Sequence, residues 1–324
     1  MRAEERPVLL AIVDVEEEFD WDRFDRRNTR VETVRALPRA QAVYERHGVT
    51  PTYLMTYPVA TRAAGCETLR GVLGEGRAIA GAHLHPWVNP PDRETVSVGN
   101  SFPGNLAPEL EADKIARLTE VIEGAFGVRP RAYQAGRHGI GAHTPAILAE
   151  HGYTVDFSVS PPFDYSAQGG PDYGAADSHP FWFGPDRALL GLPTTGGYVG
   201  WWPALTGDAH RAYRLVKAPA LRWSRLEAVC SRLRALERVR LTPEGFTLPE
   251  LQRLTRGLLA RGVRVFTCVV HSPSFVAGHT PFARTSGDVE ALLARLDAYL
   301  GWFLGELGGR ATTPEALRDE LRAA

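Results

Sequence analysis

Apolar residues recur along the chain in two alternating rhythms. Short apolar or β-branched runs at 8–13 (VLLAIV), 49–56 (VTPTYLMT), 78–85 (AIAGAHLH), 132–135, 154–159 and 263–270 (VRVFTCVV) read as strands. Between them lie segments with helical spacing. In 32–47, Val34, Leu37, Ala40, Val43 and Tyr44 recur on one face and Gly48 stops the helix. Segments 60–73, 108–126, 144–151, 248–261 and 288–307 carry the same period. This β-α alternation predicts an α/β fold with a parallel sheet. With six or seven strands, a closed or nearly closed barrel in a single domain spanning 1–324 is expected. The stretch 160–244 breaks the rhythm. It is rich in Gly, Pro and aromatic residues (PPFDYSAQGGPDYG, GYVGWWPALTG) and is expected to be an irregular insertion or lid.

Composition narrows the partners. The formal net charge is −1, and no basic stripe marks a nucleic-acid surface. Cys66, Cys230 and Cys268 are odd in number and far apart, so no disulfide framework is expected, and Cys268 reads as a small buried hydrophobe. The N-terminal apolar run of about 8 residues is too short for a membrane span and lacks a signal-peptide design. A cytoplasmic protein without membrane contact is expected, with its oligomeric state open.

Three strands end in polar residues that a buried strand does not need. The first continues into DVEEEFDW, where Asp14 and Glu16, two apart, share a face. Carboxylates there are costly unless paired, hydrated or bound to a cation. The second ends in GAHLHPW, where His83 and His85 share a face and can reach one ion, with Gly81 leaving space below. The third ends at His271 in VVHSPSF, a natural place for a general acid or base. In barrels of this type, catalytic groups sit at the C-terminal strand ends. Two further residues fit. Arg137, in GRHGIG, is expected to fork onto Asp14. Asp156, at the end of the 154–159 strand, is a candidate to orient His271 or bind substrate. His279 is a further candidate to line the cleft.

In this order the segments DVEEEFDW, PTYLMTYPVA, GAHLHPW, GRHGIG and VVHSPSF resemble the polysaccharide deacetylase family, also called NodB-homology or carbohydrate esterase family 4, in its WalW-like bacterial subgroup. The resemblance runs from about residue 7 to 307 and thins through 160–244. It implies a distorted, incomplete (β/α)7 barrel and a divalent metal, most simply zinc, with cobalt, nickel or manganese as alternatives. It implies Glu16, His83 and His85 as metal ligands, Asp14 as general base, Arg137 as the brace of the base and His271 as general acid; Asp14 and Glu16 could exchange roles. The chain departs from the family's usual pattern. Val15 separates the acids and the second is Glu, the histidines lie two apart rather than four, and GRHGIG lacks a Pro-aromatic pair. The implied activity is removal of N- or O-acetyl groups from a sugar or oligosaccharide. The alternatives are hydrolysis of a cyclic imide, ureide or other C–N bond, and glycan binding without catalysis. Trp87, Tyr133, Trp201 and Trp202 are candidates for a stacking floor for a sugar, with ordinary aromatic packing as the other reading.

Overall fold

The computed structural model describes residues 6–20, 23–200, 213 and 235–323. Its main sheet has nine strands. β1 (Val8–Val15), β2 (Thr52–Met55), β3 (Ile79–Leu84), β4 (Ala132–Ala135) and β5 (Val155–Asp156) are joined by β6 (Phe181–Phe183) and β7 (Leu189–Gly191). β8 (Gly196–Val199) and β9 (Glu237–Arg240) form a separate antiparallel pair. β10 (Val265–His271) and β11 (Arg310–Ala311) complete the main sheet, both parallel to β1. The order is β10-β1-β2-β3-β4-β5-β7-β6, parallel throughout except β6 against β7. Helices α1 (Leu37–Arg46), α2 (Tyr57–Thr61), α3 (Ala63–Gly74), α4 (Pro108–Phe126), α5 (Thr144–Glu150), α6 (Leu248–Ala260), α7 (Ser286–Gly301) and α8 (Pro314–Ala323) accompany the strands. The sheet curls into an incomplete (β/α) barrel, as the alternation predicts. No described helix is long and apolar enough to cross a membrane.

The helices start and stop for local reasons. Thr247 and Glu250 close a reciprocal capping box at α6, and Thr285 and Asp288 do the same at α7. α4 begins on Pro108 and ends at Gly127, whose φ of +71° suits a residue without Cβ.

Strand parity divides the core in two. Leu9, Ala11, Val13 and Val15 of β1 pack outward with the helices, as do Phe266, Cys268 and Val270 of β10. Val8, Leu10 and Ile12, with Leu54, Ala132, Val155, Val265 and Val269, fill a smaller inner cluster. Burying each such side chain contributes about 1.5–3 kcal/mol. The inner positions continue as Asp14, His83, Gln134 and His271 at the strands' C-terminal ends. The barrel interior is therefore hydrocarbon below and ionisable above.

The described parts of the stretch 160–244 carry more regular structure than their composition suggests. It supplies β6 and β7 to the main sheet and contains β8 and β9. The chain leaving β7 then crosses toward β10: Thr195 N donates to Thr267 O at 3.2 Å, and Leu241 N to Thr195 O at 2.7 Å. This crossing delivers Arg240, Thr242 and Glu244 to the polar rim. Trp201, Trp202, His210 and Cys230 lie outside the described residues.

Candidate active site

Asp14, Glu16, His83, His85 and His271 converge on a cleft of about 530 Å³ at the C-terminal rim. That volume lies in the range of small-molecule sites. Asp14, Glu16, His83 and His85 are each 3 % exposed or less.

Glu16, rather than Asp14, reaches both imidazoles. Its Oε2 lies 3.8 Å from His83 Nε2 and 3.6 Å from His85 Nε2. The outer ring nitrogens are committed elsewhere. His83 Nδ1 lies 3.1 Å from Gln134 O, and His85 Nδ1 lies 2.8 Å from Glu17 Oε1. Those partners only accept, so each Nδ1 carries the proton and each Nε2 presents a lone pair inward. Two nitrogen lone pairs and a carboxylate oxygen then face one another with no donor between them, and Glu16 Oε1 has no hydrogen-bond partner. Burial pushes Glu16 well above the ordinary glutamate value and His83 well below the ordinary histidine value. Such a set of acceptors fits a cation. Three protein ligands of this kind could hold a divalent metal.

The surroundings fix these rings. Trp87 stacks on His85 with centroids 4.2 Å apart and planes at 25°, and Phe19 meets the same ring edge-on at 5.3 Å. Gly136 makes room for it, since a Cβ there would lie 2.9 Å from His85 Cδ2 and 2.4 Å from Leu84 O. Lys114, fully buried on α4, donates to Pro86 O at 3.0 Å and to Asn89 O, which ties down the loop after His85.

A second group stands beside the triad. Asp14 Oδ2 lies 3.6 Å from His271 Nε2 and accepts from Gln134 Nε2 at 3.3 Å. His271 Nδ1 lies 2.7 Å from Glu244 Oε2, and its backbone N–H donates to Glu244 Oε1 at 3.3 Å. Ser274 Oγ also donates to Glu244, and Thr242 Oγ1 donates to Glu244 Oε2 at 3.2 Å. Burial works against an imidazolium at His271, but the charge and hydrogen bond of Glu244, with Glu16 and Asp14 adding, raise it to about 10. Burial likewise pushes the Glu244 carboxyl up, yet His271 and the hydrogen bonds hold it below the ordinary glutamate value. Asp14 rises to about 6, chiefly by burial, opposed by the charge of His271.

Several expectations need correction. Arg137 does not fork onto Asp14. Its guanidinium donates to Ser101 Oγ at 2.6 Å and to Gln168 Oε1, and stacks over Phe102 at 4.2 Å. The turn explains this: Arg137 and His138 both take left-handed backbone, φ +54° and +60°, which swings Arg137 along the cleft wall. Asp156 does not orient His271. It accepts from Ser158 Oγ at 2.6 Å and Ser158 N at 3.0 Å, and Glu244 holds His271 in its place. Trp87 and Tyr133 are packed aromatics, 1 % and 0 % exposed, and not a stacking floor. Phe19, Phe24, Phe163, Tyr165, Phe246 and Phe282 line the cleft instead. His279 borders a separate surface hollow beside Glu18, Asp20 and Asp25.

Glu17 and Glu244 escape a reading by strand parity. β1 ends at Val15, so alternation no longer governs Glu17, which is fully buried on His85. The available signal was three consecutive acids closing an apolar strand. Glu244 arrives from the irregular stretch, where no period marks it.

No family profile matches this chain, and no curated protein sequence matches it. Solved structures do. A protein of Mycobacterium smegmatis assigned to the polysaccharide deacetylases is 16 % identical, with a TM-score of 0.58 over 99 % of this chain and 92 % of that one. The allantoinase PuuE is 12 % identical, with a TM-score of 0.57 over 98 % and 90 %. A 4-α-glucanotransferase from Thermococcus litoralis is 10 % identical, with a TM-score of 0.53 over 97 % of this chain and 40 % of that one. The chain thus has the incomplete-barrel fold of the NodB-homology polysaccharide deacetylases. The same fold is found in proteins named for other reactions, so the reaction must be argued from the site.

Proposed function

We propose that this protein is a metal-dependent hydrolase that removes N- or O-acetyl groups from a sugar or glycan-like substrate. The observation that carries this reading is the buried triad Glu16–His83–His85, three inward-facing acceptors beside a base and a protonated histidine. A divalent ion held by the triad, zinc being the simplest choice for this donor set, would polarise the acyl carbonyl and lower the pKa of the attacking water. Asp14, ionised above about pH 6, takes the proton of that water. Gln134 holds Asp14 by a single hydrogen bond at Oδ2, leaving Oδ1 without a partner. His271, kept as imidazolium by Glu244, delivers a proton to the departing amine or hydroxyl. The aromatic walls offer flat faces to a sugar ring. Arg137 and Asp156 take no part in these proton movements.

The test is acetate release from acetylated sugars with added zinc, cobalt or manganese, against a His83→Ala control. Release in the native protein that vanishes in the variant is expected. No metal-dependent release from any amide or ester would sink the deacetylase reading.

A second reading is favoured by the likeness to the allantoinase, whose TM-score nearly equals that to the deacetylase. The same base and acid could open a cyclic ureide or imide. Ring opening monitored on such compounds, alongside the acetate assay, separates the two.

A further inference from the structure

Two guanidiniums line the cleft with no acid among the described residues in hydrogen-bond or ion-pair reach, although the charge of Arg240 is felt at Asp14. Arg240 Nη2 donates only to neutral oxygens, Ser160 Oγ at 2.9 Å and Tyr165 OH at 2.7 Å. Its plane lies over Phe163 at 4.1 Å, and its Nε is buried with no hydrogen-bond partner. Arg137 is also matched to neutral groups, Ser101, Gln168 and the Val98 carbonyl, and lies over the rings of Phe102 and Phe24. Arg295, half-buried elsewhere, likewise meets only the neutral Pro243 carbonyl, whereas three other cations find acids. Arg26 reaches Asp92 and Glu94, Lys114 reaches Glu94, and Arg253 reaches Glu237. A guanidinium cannot shed its charge, and desolvating one without a counter-charge is costly.

The acids beside them have counter-charges of their own. Asp14, Glu16, Glu17 and Glu244 carry four negative charges, of which a protonated His271 and a divalent ion would cancel three. Neither Arg137 nor Arg240 enters that balance through a hydrogen bond or ion pair, and the exposed Asp164 at the rim has interactions of its own. On the same wall, His138 is 8 % exposed and its Nδ1 is without a partner. Arg137 and His138 are consecutive residues held in left-handed backbone, a strained conformation that recurs at ligand clamps.

We propose that the cleft takes an anionic substrate, and that the wall formed by Arg240 and Arg137 binds its carboxylate away from the reacting bond. A carboxylate suits this wall, because guanidiniums fork onto planar anions and the neighbouring groups are aromatic rings. A phosphate dianion would call for more donors than the wall presents. The inference rests on the hydrolase reading only for the position of the bond to be cut.

The test is calorimetric binding to the purified full-length protein of N-acetylmuramic acid, a carboxylate-bearing acetylated amino sugar, and of its methyl ester, in which a methyl group replaces the negative charge. N-Acetylglucosamine 6-phosphate serves as the phosphate arm. The acid is expected to bind roughly tenfold or more tightly than the ester, the scale of a charge-assisted hydrogen bond. Arg240→Gln should abolish that preference, weakening the acid by roughly tenfold more than the ester. Arg137→Gln, at the more open side, should reduce it and keeps the test decisive should the first variant not fold. Equal binding of acid and ester, equal weakening of both by the variants, or tighter binding of the phosphate would each overturn the proposal. Acid–ester discrimination without acetate release from any substrate would remove the deacetylase reading and leave this one standing. Acetate release without discrimination would do the reverse.

Discussion

Asp14 and His271 occupy paired positions in the register of the adjacent parallel strands β1 and β10, and their side chains meet with Oδ2 3.6 Å from Nε2. A proton acceptor and a proton donor are thus fixed one strand apart by the sheet itself. The proposed roles make Asp14→Asn a clean test. Its turnover should fall about 10²–10⁴-fold, the usual worth of a positioned base. Its bound metal, measured by elemental analysis, should be unchanged, since Asp14 is not in the triad. Loss of the metal instead would make Asp14 a ligand and return the role of base to Glu16.

Glu244 sets the alkaline side of the pH profile. His271 must stay protonated to act as an acid, and Glu244 holds it so up to about pH 10. In Glu244→Gln the charge is gone and burial dominates, so the imidazolium loses its proton at lower pH. The descending limb of kcat against pH should move acidward by more than a pH unit. A limb that stays in place would mean that His271 is not the acid.

The same pair ties stability to pH. The His271 value is raised above the ordinary 6.5, so its contribution is complete below about pH 6.5 and is lost as pH climbs through about 10. The Glu244 value is depressed, so its contribution is present above the ordinary 4.5 and is lost as pH falls through its lower folded value. The thermal midpoint should therefore decline from neutral pH toward pH 10, and the decline should flatten in Glu244→Gln. An equal decline in both proteins would assign the loss to other groups.

Glu17 should act on the metal without touching it. Glu17→Ala leaves the His85 Nδ1 proton buried and unpaired and frees the ring to change tautomer. Metal affinity, measured by competition with a chromogenic chelator, is expected to drop about 10–100-fold. Glu17→Gln can still accept that proton and should lose less. Unchanged affinity in Glu17→Ala would mean that His85 needs no such support.

Gly136→Ala probes the close packing behind the triad. The new Cβ cannot coexist with Leu84 O and His85 Cδ2 where they now stand. Overpacking of this kind costs about 1–3 kcal/mol, readable by urea unfolding. Because the displaced atom belongs to a proposed ligand, metal affinity should fall as well. A destabilised protein with native affinity would show that the backbone yields and the ring does not.

The parts of the site carried by regular strands were legible in the sequence. Asp14, His83 and His271 lie on the inner face of apolar strands by alternation, and Glu16 and His85, each one residue past its strand, keep the same side. The partners of those residues were not. Glu17 follows the end of its strand, Glu244 sits past the last residue of β9, and Asp156 was given the place Glu244 holds. Arg137 was misdirected because two non-glycine residues in succession turn left-handed, which residue type does not announce. The short strands β6 and β7 were hidden by aromatic and proline-rich composition, and the sheet, not their own period, makes them strands. For Trp87 and Tyr133, of the two readings the sequence left open, packing is the one the structure shows. Large aromatics near a site suggest sugar stacking, but the core had first claim on these two.

Strand parity also limits how this site can change over evolutionary time. A single-residue insertion or deletion within β1 would turn Asp14 outward among the helices and bring a valine into the cleft, and the same holds for β3 and His83. Length changes there are tolerable only in steps of two. Asp-Val-Glu and His-Leu-His are spacings of that kind: each sets its pair two residues apart, so both members keep the inner face and only their depth along the barrel axis differs.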